Sequence, residues 1–255
     1  MEKNLVTEIP NKQLLELWKK NSESEWVQGF KNGASLKELL NTTRNSDEIL
    51  KKEKCVCCDG RLERTGNDFS VAGSFILCEE ELEKNIKKFG FETLTSHEGC
   101  GAGKLAFSQL DESIAAQYLN AKDYIVKWTQ AAADRYGLKY EHINDSEFIS
   151  PYHHEGGIIL DSTLKFHPSV YSGMPNMFIS NSLCENSDEY IEAETRILTG
   201  IAFGDHGFGP LITVVNPFYI LITARSIEEE KKLVEIAKKA TQAFGDAVII
   251  KSCTL

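Results

Sequence analysis

Two short motifs carry side chains that could bind a metal ion. The first reads C-C-D-G-R at positions 57–61, and the second reads H-E-G-C-G-A at positions 97–102. Together they offer cysteine thiols and an imidazole, which zinc accepts as ligands. Two thiolates with the imidazole make three ligands, the number that a catalytic zinc site uses while it keeps a fourth position open for water. The motifs therefore predict a metal ion that activates water.

An acidic and a basic residue complete the first motif. Asp59 and Arg61 are two positions apart, so on an extended segment they project to the same side as Cys57. An arginine can hold a carboxylate with two hydrogen bonds and keep it ionised. A carboxylate held in this way can accept a hydrogen bond from water at the metal and orient that water. We expect Asp59 and Arg61 to be catalytic residues.

Alternating strands and helices position the motifs. Strands are predicted around 55–58 and 91–96, each leading into one motif, and helices at 79–90, 102–119 and 121–136. The second half has predicted strands at 158–160, 177–180, 211–215, 218–224 and 247–250, and helices at 188–202 and after Ser226. This alternation predicts an α/β fold with a mostly parallel central sheet flanked by helices. Both motifs then meet at the carboxyl edge of the sheet, where open α/β folds place their sites.

The domain organisation follows from the same pattern. Residues 1–45 have an amphipathic helical pattern and are predicted to form an N-terminal helical extension. No long linker rich in Pro, Gly or Ser interrupts the remainder. Residues 46–255 are therefore predicted to form a single α/β metal-binding catalytic domain.

The pair of motifs, C-x-D-x-R followed by H-x-x-C-G-A, resembles the metal site of the β-class carbonic anhydrases and their ζ- and θ-class relatives. The resemblance covers residues 57–108. It implies a β-carbonic-anhydrase-like fold, Zn²⁺ held by Cys57, His97 and Cys100, and a catalytic pair of Asp59 and Arg61. The implied enzyme is a lyase that reversibly hydrates carbon dioxide to bicarbonate by metal-bound hydroxide. Because thiolates are soft ligands, Cd²⁺ or Co²⁺ could replace the zinc.

The resemblance also bears on subclass and assembly. Gly60 stands where β-class members commonly have serine, and residues 150–225 differ from the ordinary β-class tail, which favours a ζ- or θ-like branch. The family implies a homodimer in which a neighbouring subunit helps to wall the site. Some ζ-like relatives are single units whose second half replaces that subunit, and the second half of this chain is long enough to do so. His206, in a glycine-flanked turn, is a candidate proton shuttle.

Three other interpretations stay open. The same site could hydrolyse carbon disulfide or carbonyl sulfide, or the chain could be a non-catalytic metal-binding regulatory homologue. The thiols at 55, 57 and 58 could also join Cys100 in a closed structural zinc site.

The cysteines outside the ligand set have other expected roles. Cys57 fits the family register, whereas Cys58 would point to the opposite face of a strand. Cys78 and Cys184, in apolar stretches, are expected to be small core residues.

Composition narrows the classes of partner. The 255 residues include 28 Lys+Arg and 38 Asp+Glu, a formal net charge of −10, so the surface repels phosphate backbones and nucleic acid is not expected as a partner. No apolar run reaches the length that spans a bilayer, and the first residues lack an apolar signal segment. We expect a cytoplasmic protein with a small-molecule substrate and no membrane partner.

Overall fold

Parallel strands form the framework of the protein. The structure is a computed structural model that describes residues 12–41, 52–63, 67–149, 156–163, 175, 177–180, 188–204 and 208–255. The first sheet has the order β2-β1-β3-β4, and its strands are β1 Lys54–Val56, β2 Asp68–Ser70, β3 Thr93–His97 and β4 Lys139–Ile143. The second sheet has the order β6-β5-β7-β8, and its strands are β5 Gly157–Asp161, β6 Phe178–Ser180, β7 Phe218–Ala224 and β8 Val248–Thr254. Every pairing in both sheets is parallel.

Helices cover the sheets. They are α1 Lys12–Ser22, α2 Glu25–Lys31, α3 Leu36–Asn41, α4 Glu79–Phe89, α5 Gly101–Ser108, α6 Glu112–Ala115, α7 Ala121–Tyr136, α8 Asp188–Phe203 and α9 Ile227–Thr241. Local signals set several boundaries. The Asn120 side chain accepts a hydrogen bond from the Asp123 amide at the start of α7, and left-handed glycines follow α4 and α7. Within the described residues, no helix has the length and apolar character needed to cross a membrane.

The two sheets have the same internal order and meet at their edges. In each sheet the second strand in sequence lies at one edge, and these two outer strands, β2 and β6, contact each other. The largest cluster of buried apolar side chains contains members from both halves, including Cys57, Ala102, Met177 and Leu198. The site motifs of the first half are therefore packed against the second half.

The N-terminal helices cover the second sheet. Trp26, Phe30 and Leu36 pack with Tyr219 and Leu221, so α2 and α3 bury one face of β5 and β7. The Trp18 ring of α1 lies 4.4 Å from that of Phe208. On the first sheet, α4 and α7 cover a face that contains Cys55 and Leu94. The amphipathic pattern before residue 45 thus has its apolar partner within this chain.

The predicted α/β class with parallel strands and flanking helices is confirmed, and the strands form two four-stranded sheets instead of one central sheet. The helices predicted at 79–90, 121–136 and 188–202 are present. The helix predicted at 102–119 is divided between α5 and α6. The strand predicted at 211–215 is wrong, because Val214 and Val215 are 67% and 77% exposed in a loop. The division into an N-terminal extension and one catalytic domain stays a prediction.

Candidate metal centre

Cys57 follows the end of β1 and is held by a neighbouring loop. Its Sγ accepts a hydrogen bond from the Gly73 amide at 3.1 Å. Gly73, Ser74 and Phe75 all have left-handed backbone conformations, with φ of +58°, +53° and +76°. Such angles cost on the order of 1–3 kcal/mol for a residue with a side chain. The strained loop therefore directs a backbone donor at the Cys57 sulfur.

His97 and Cys100 come from the turn between β3 and α5. His97 is the last residue of β3, Gly99 turns the chain with φ of +65°, and Cys100 is the N-cap of α5. The Cys100 sulfur accepts the Gly103 amide at 3.4 Å. A sulfur thus takes the position where helices usually have an oxygen from Ser, Thr, Asp or Asn.

These three side chains converge into a buried group. Their ligand atoms all lie within 4.8 Å of one another, and the two sulfurs are 4.0 Å apart. His97 Nδ1 donates to the Glu98 carbonyl oxygen at 2.9 Å, which leaves Nε2 buried without a hydrogen-bond partner among the described residues. A backbone acceptor on one ring nitrogen is the usual support for a metal-binding histidine. The donor set and the orphaned nitrogen both fit a metal ion, so Cys57, His97 and Cys100 could hold one.

The three side chains differ in protonation, and the negative charge lies on Cys57. The pKa of Cys57 lies well below the ordinary thiol value, first because the Cys100 thiol and then the Cys58 thiol hydrogen-bond to its sulfur. The pKa of Cys100 is raised, first by that same hydrogen bond and then by burial. Burial lowers the pKa of His97, but the nearby Cys57 sulfur and then the charge of Asp59 outweigh it, so the net shift is upward. Negative charge therefore collects on Cys57 in a buried place, where a cation would offset it.

Asp59 and Arg61 form a buried ion pair beside this group. Arg61 Nη2 lies 2.8 Å from Asp59 Oδ2, its Nε lies 3.1 Å from Oδ1, and its backbone amide also donates to Oδ1. The same Nη2 donates to the Glu98 carbonyl, and the guanidinium lies 4.4 Å from the centre of the Phe148 ring. Asp59 Oδ2 is 3.9 Å from His97 Nε2. The arginine thus fixes the carboxylate next to the candidate ligands.

A pocket of about 400 Å³ opens beside the group. Cys57, Cys58, Asp59 and Gly99 of the first half contribute to it. The opposite wall comes from the second half and is apolar, formed by Met177, Ile197, Leu198 and Ile201. Residues of both halves therefore enclose the candidate site within a single chain.

Of the other cysteines, Cys55 and Cys78 lie away from the ligand group and Cys58 lies beside it. Cys55 and Cys78 are buried with Phe69 and Leu82 in a separate apolar cluster, so neither belongs to the ligand group. The expectation that Cys78 is a core residue is confirmed, and Cys55 does not serve a closed zinc site with the others. Cys58 is not turned away from the site, because the chain has left β1 and strand alternation no longer applies. Cys184 and His206 lie outside the described residues.

The second sheet lacks these ligands at the corresponding strand ends. At the end of β5, Asp161 Oδ1 accepts hydrogen bonds from the hydroxyls of Thr163 and Thr223. Ser226 is the N-cap of α9 and so matches Cys100 in topology. Hydroxyl groups and a carboxylate replace the thiols and the imidazole there. Among the described residues, Cys57, His97 and Cys100 form the one group that could hold a metal.

Sequence reasoning missed the contribution of α8. The buried face of this helix runs through Ile191, Glu194, Leu198 and Ala202, which are spaced by three or four residues. A glutamate in such an apolar stripe is visible in the sequence as a charged residue at a core position. That Glu194 lies near the metal group could not be predicted, because it depends on how the two halves of the chain pack.

Comparisons of the chain with protein-family models, with curated proteins and with solved structures found no match. The chain has an α/β fold with parallel sheets, and it has a buried Cys-His-Cys group whose ligand atoms lie within metal-binding distance.

Proposed function

We propose that this chain is a zinc-dependent carbonic anhydrase of the β-class superfamily, which reversibly hydrates carbon dioxide to bicarbonate. One observation carries the proposal: a three-ligand group lies beside a carboxylate held by an arginine, at the mouth of an apolar pocket. Three protein ligands are the number found in catalytic zinc sites. The ion-paired Asp59 is the feature that a purely structural site would not need.

Cys57, His97 and Cys100 would hold the metal. We propose Zn²⁺, with Cd²⁺ or Co²⁺ able to replace it, because two thiolates and an imidazole are soft to borderline ligands. When bound, zinc lowers the pKa of water to about 7 and so supplies a nucleophile at neutral pH.

Asp59 and Arg61 would orient the reacting water. Arg61 donates to both Asp59 oxygens, so the carboxylate stays ionised and acts only as an acceptor. It can therefore accept a hydrogen bond from the water that attacks carbon dioxide. The attack forms bicarbonate, and the proton that is released passes to buffer.

The pocket supports an uncharged, apolar substrate. Its second-half wall is aliphatic and gives carbon dioxide an apolar surface. At about 400 Å³ the pocket also has room for carbon disulfide or carbonyl sulfide. Hydrolysis of those molecules is the alternative reaction on the same site.

Stopped-flow hydration of carbon dioxide tests the proposal. Metal-replete wild-type protein should accelerate hydration between pH 7 and 8.5, and Asp59→Asn should keep its metal while it loses about 100-fold in rate. Asp188→Asn is the matched control, because Asp188 is exposed and pairs with Lys232. A wild-type protein with one equivalent of metal and no rate above buffer would overturn the assignment.

A second candidate is a non-catalytic metal-binding protein, and the position of Cys58 favours it. The Cys58 thiol hydrogen-bonds to the Cys57 sulfur and lines the same pocket. Cys58 is outside the group whose ligand atoms lie within 4.8 Å of one another, but a third thiolate that turned towards the metal would close the metal shell and exclude water. X-ray absorption above pH 8 separates the two: a shell of two sulfurs, one nitrogen and one oxygen supports the enzyme, and three sulfurs with one nitrogen supports the binding protein.

A further inference from the structure

Glu194 is a buried acid that the proposed reaction does not use. It lies on α8 with 2% of its surface exposed, on the helix face close to Leu198 and Ile201 of the pocket wall. Its Oε1 accepts a hydrogen bond from the Ala72 amide at 2.5 Å. Its Oε2 is buried and has no hydrogen-bond partner among the described residues. Burying an unpaired polar atom is costly in free energy, so a carboxyl group in this position suggests a functional role.

No cation compensates this acid in the described part of the chain. The basic side chains that pair with α8 are held by other acids: Arg196 and Lys239 pair with Glu192, and Lys232 pairs with Asp188. Burial raises the pKa of Glu194 to about 8, and the negative charge of Cys57 acts in the same direction. Glu194 is therefore a neutral carboxylic acid at neutral pH, and its Oε1 serves as a hydrogen-bond acceptor.

Two successive amides connect Glu194 to the metal group. The Ala72 amide donates to Glu194, and the next amide, that of Gly73, donates to the Cys57 sulfur. The loop has little freedom, because a Cβ at Gly73 would lie 2.5 Å from Ile76 and 2.9 Å from Ala102. An acceptor that fixes the first amide therefore also fixes the direction of the second.

We propose that Glu194 is a positioning residue of the candidate metal centre, which holds the loop that hydrogen-bonds Cys57 from the second half of the chain. The inference rests on the metal site of the proposed function and does not depend on the reaction. A hydrogen bond to a ligating sulfur withdraws electron density from it and lowers its donor strength. Glu194 thus tunes a ligand that it does not touch.

Cobalt spectroscopy of the full chain tests this role. Wild-type protein loaded with Co²⁺ should show sulfur-to-cobalt charge-transfer bands. Glu194→Met fills a similar volume without an acceptor. The Cys57 sulfur should then be a stronger donor, so those bands should shift to lower energy. Because the loop that holds Cys57 is no longer fixed, Co²⁺ affinity should nevertheless fall about tenfold. Glu194→Gln keeps a neutral acceptor, so both readings should match wild type. Glu189→Gln, at an exposed position of the same helix, is the matched control and should also match.

Several outcomes of this experiment would overturn the proposal. Unchanged bands and affinity in a folded Glu194→Met protein would overturn the positioning role. A Glu194→Gln protein that behaves like Glu194→Met would overturn the role of a neutral acceptor. If Glu194→Met does not fold, Glu194→Asp replaces it: the shorter side chain should shift the bands, and no shift would overturn the proposal. Failure of wild-type protein to bind Co²⁺ would instead refute the metal centre itself.

Discussion

At the scale of single residues, adjacent thiols differ in what surrounds them. Cys57 and Cys58 both line the pocket, but the sulfur of Cys57 receives the Gly73 amide and lies 4.0 Å from that of Cys100. Cys58 is not part of the group whose ligand atoms lie within 4.8 Å. A backbone donor and a nearby second ligand favour the thiolate form at Cys57. The first motif should therefore bind metal through Cys57.

We predict that Cys57→Ser, His97→Ala and Cys100→Ser each lose the metal. Each change removes one of three ligands, and the hydroxyl of serine is a poor substitute for a thiolate. Cys58→Ser is the matched control and should retain about one equivalent. Metal analysis of protein purified without chelator measures this. If Cys58→Ser loses the metal and Cys57→Ser keeps it, Cys58 is the ligand and the prediction is wrong.

We predict that Glu194 makes stability depend on pH. The folded protein holds the proton up to about pH 8, whereas the unfolded carboxyl releases it near its ordinary value of 4.5. The contribution of protonated Glu194 to the free energy of unfolding is therefore complete below pH 4.5. It is lost as the pH rises towards 8, at about 1.4 kcal/mol per pH unit.

Urea unfolding of wild type and Glu194→Gln at equal zinc concentration checks this. Between pH 5.5 and 7.5, the free energy of unfolding of wild type should fall by about 2.5 kcal/mol relative to the variant. Parallel pH profiles for the two proteins would contradict the prediction.

At the scale of elements, α5 connects the metal group to the core. Cys100 caps this helix, and the Gly103 amide that it accepts lies one turn later. Gly103 packs directly on α7, because a Cβ there would lie 2.2 Å from Ile125. The position of Cys100 therefore depends on the close approach of two helices.

We predict that Gly103→Ala destabilises the protein by about 1–3 kcal/mol, since the added methyl group must displace Ile125. It should also weaken metal binding, because α5 carries Cys100. Gly101→Ala adds the same group in the same helix, where its nearest contact is Ile201 at 3.5 Å, and it should be close to neutral. Denaturant unfolding and metal titration of both variants measure these effects, and equal stabilities would contradict the packing argument.

At the scale of the whole molecule, the second half completes the site of the first. The two sheets share one strand order, their outer strands β2 and β6 contact each other, and α8 supplies the apolar wall. The resemblance assigned such a wall to a neighbouring subunit. The homodimer stays a prediction, and the apolar wall described here comes from the same chain.

We predict that activity per chain is independent of assembly. Light scattering and carbon dioxide hydration should be measured over one dilution series, from micromolar concentration downward. If the mass falls from twice 28.6 kDa to 28.6 kDa, the rate per chain should stay constant. A rate that falls together with the mass would mean that a second chain contributes to the site.

The sequence alone determined the candidate ligands and the local elements. The residue types at 57, 59 and 61 and at 97 and 100 predicted the ligand group and its ion pair, and both are present. Helices α7 and α8 were predicted within a residue, because helical hydrogen bonds and end signals lie within a few positions of one another. The assignment of zinc and of the reaction stays a prediction.

Only the tertiary structure decided the sheets and the surroundings of the site. Strands β2 and β4 were not predicted, and the apolar residues at 211–215 are not a strand. A parallel strand is stabilised by hydrogen bonds to segments far away in the chain, so its own residues carry a weak signal. The same reason hid Glu194: its carboxyl lies 122 positions from the Ala72 amide that it binds, and only the packing of the two halves brings them together.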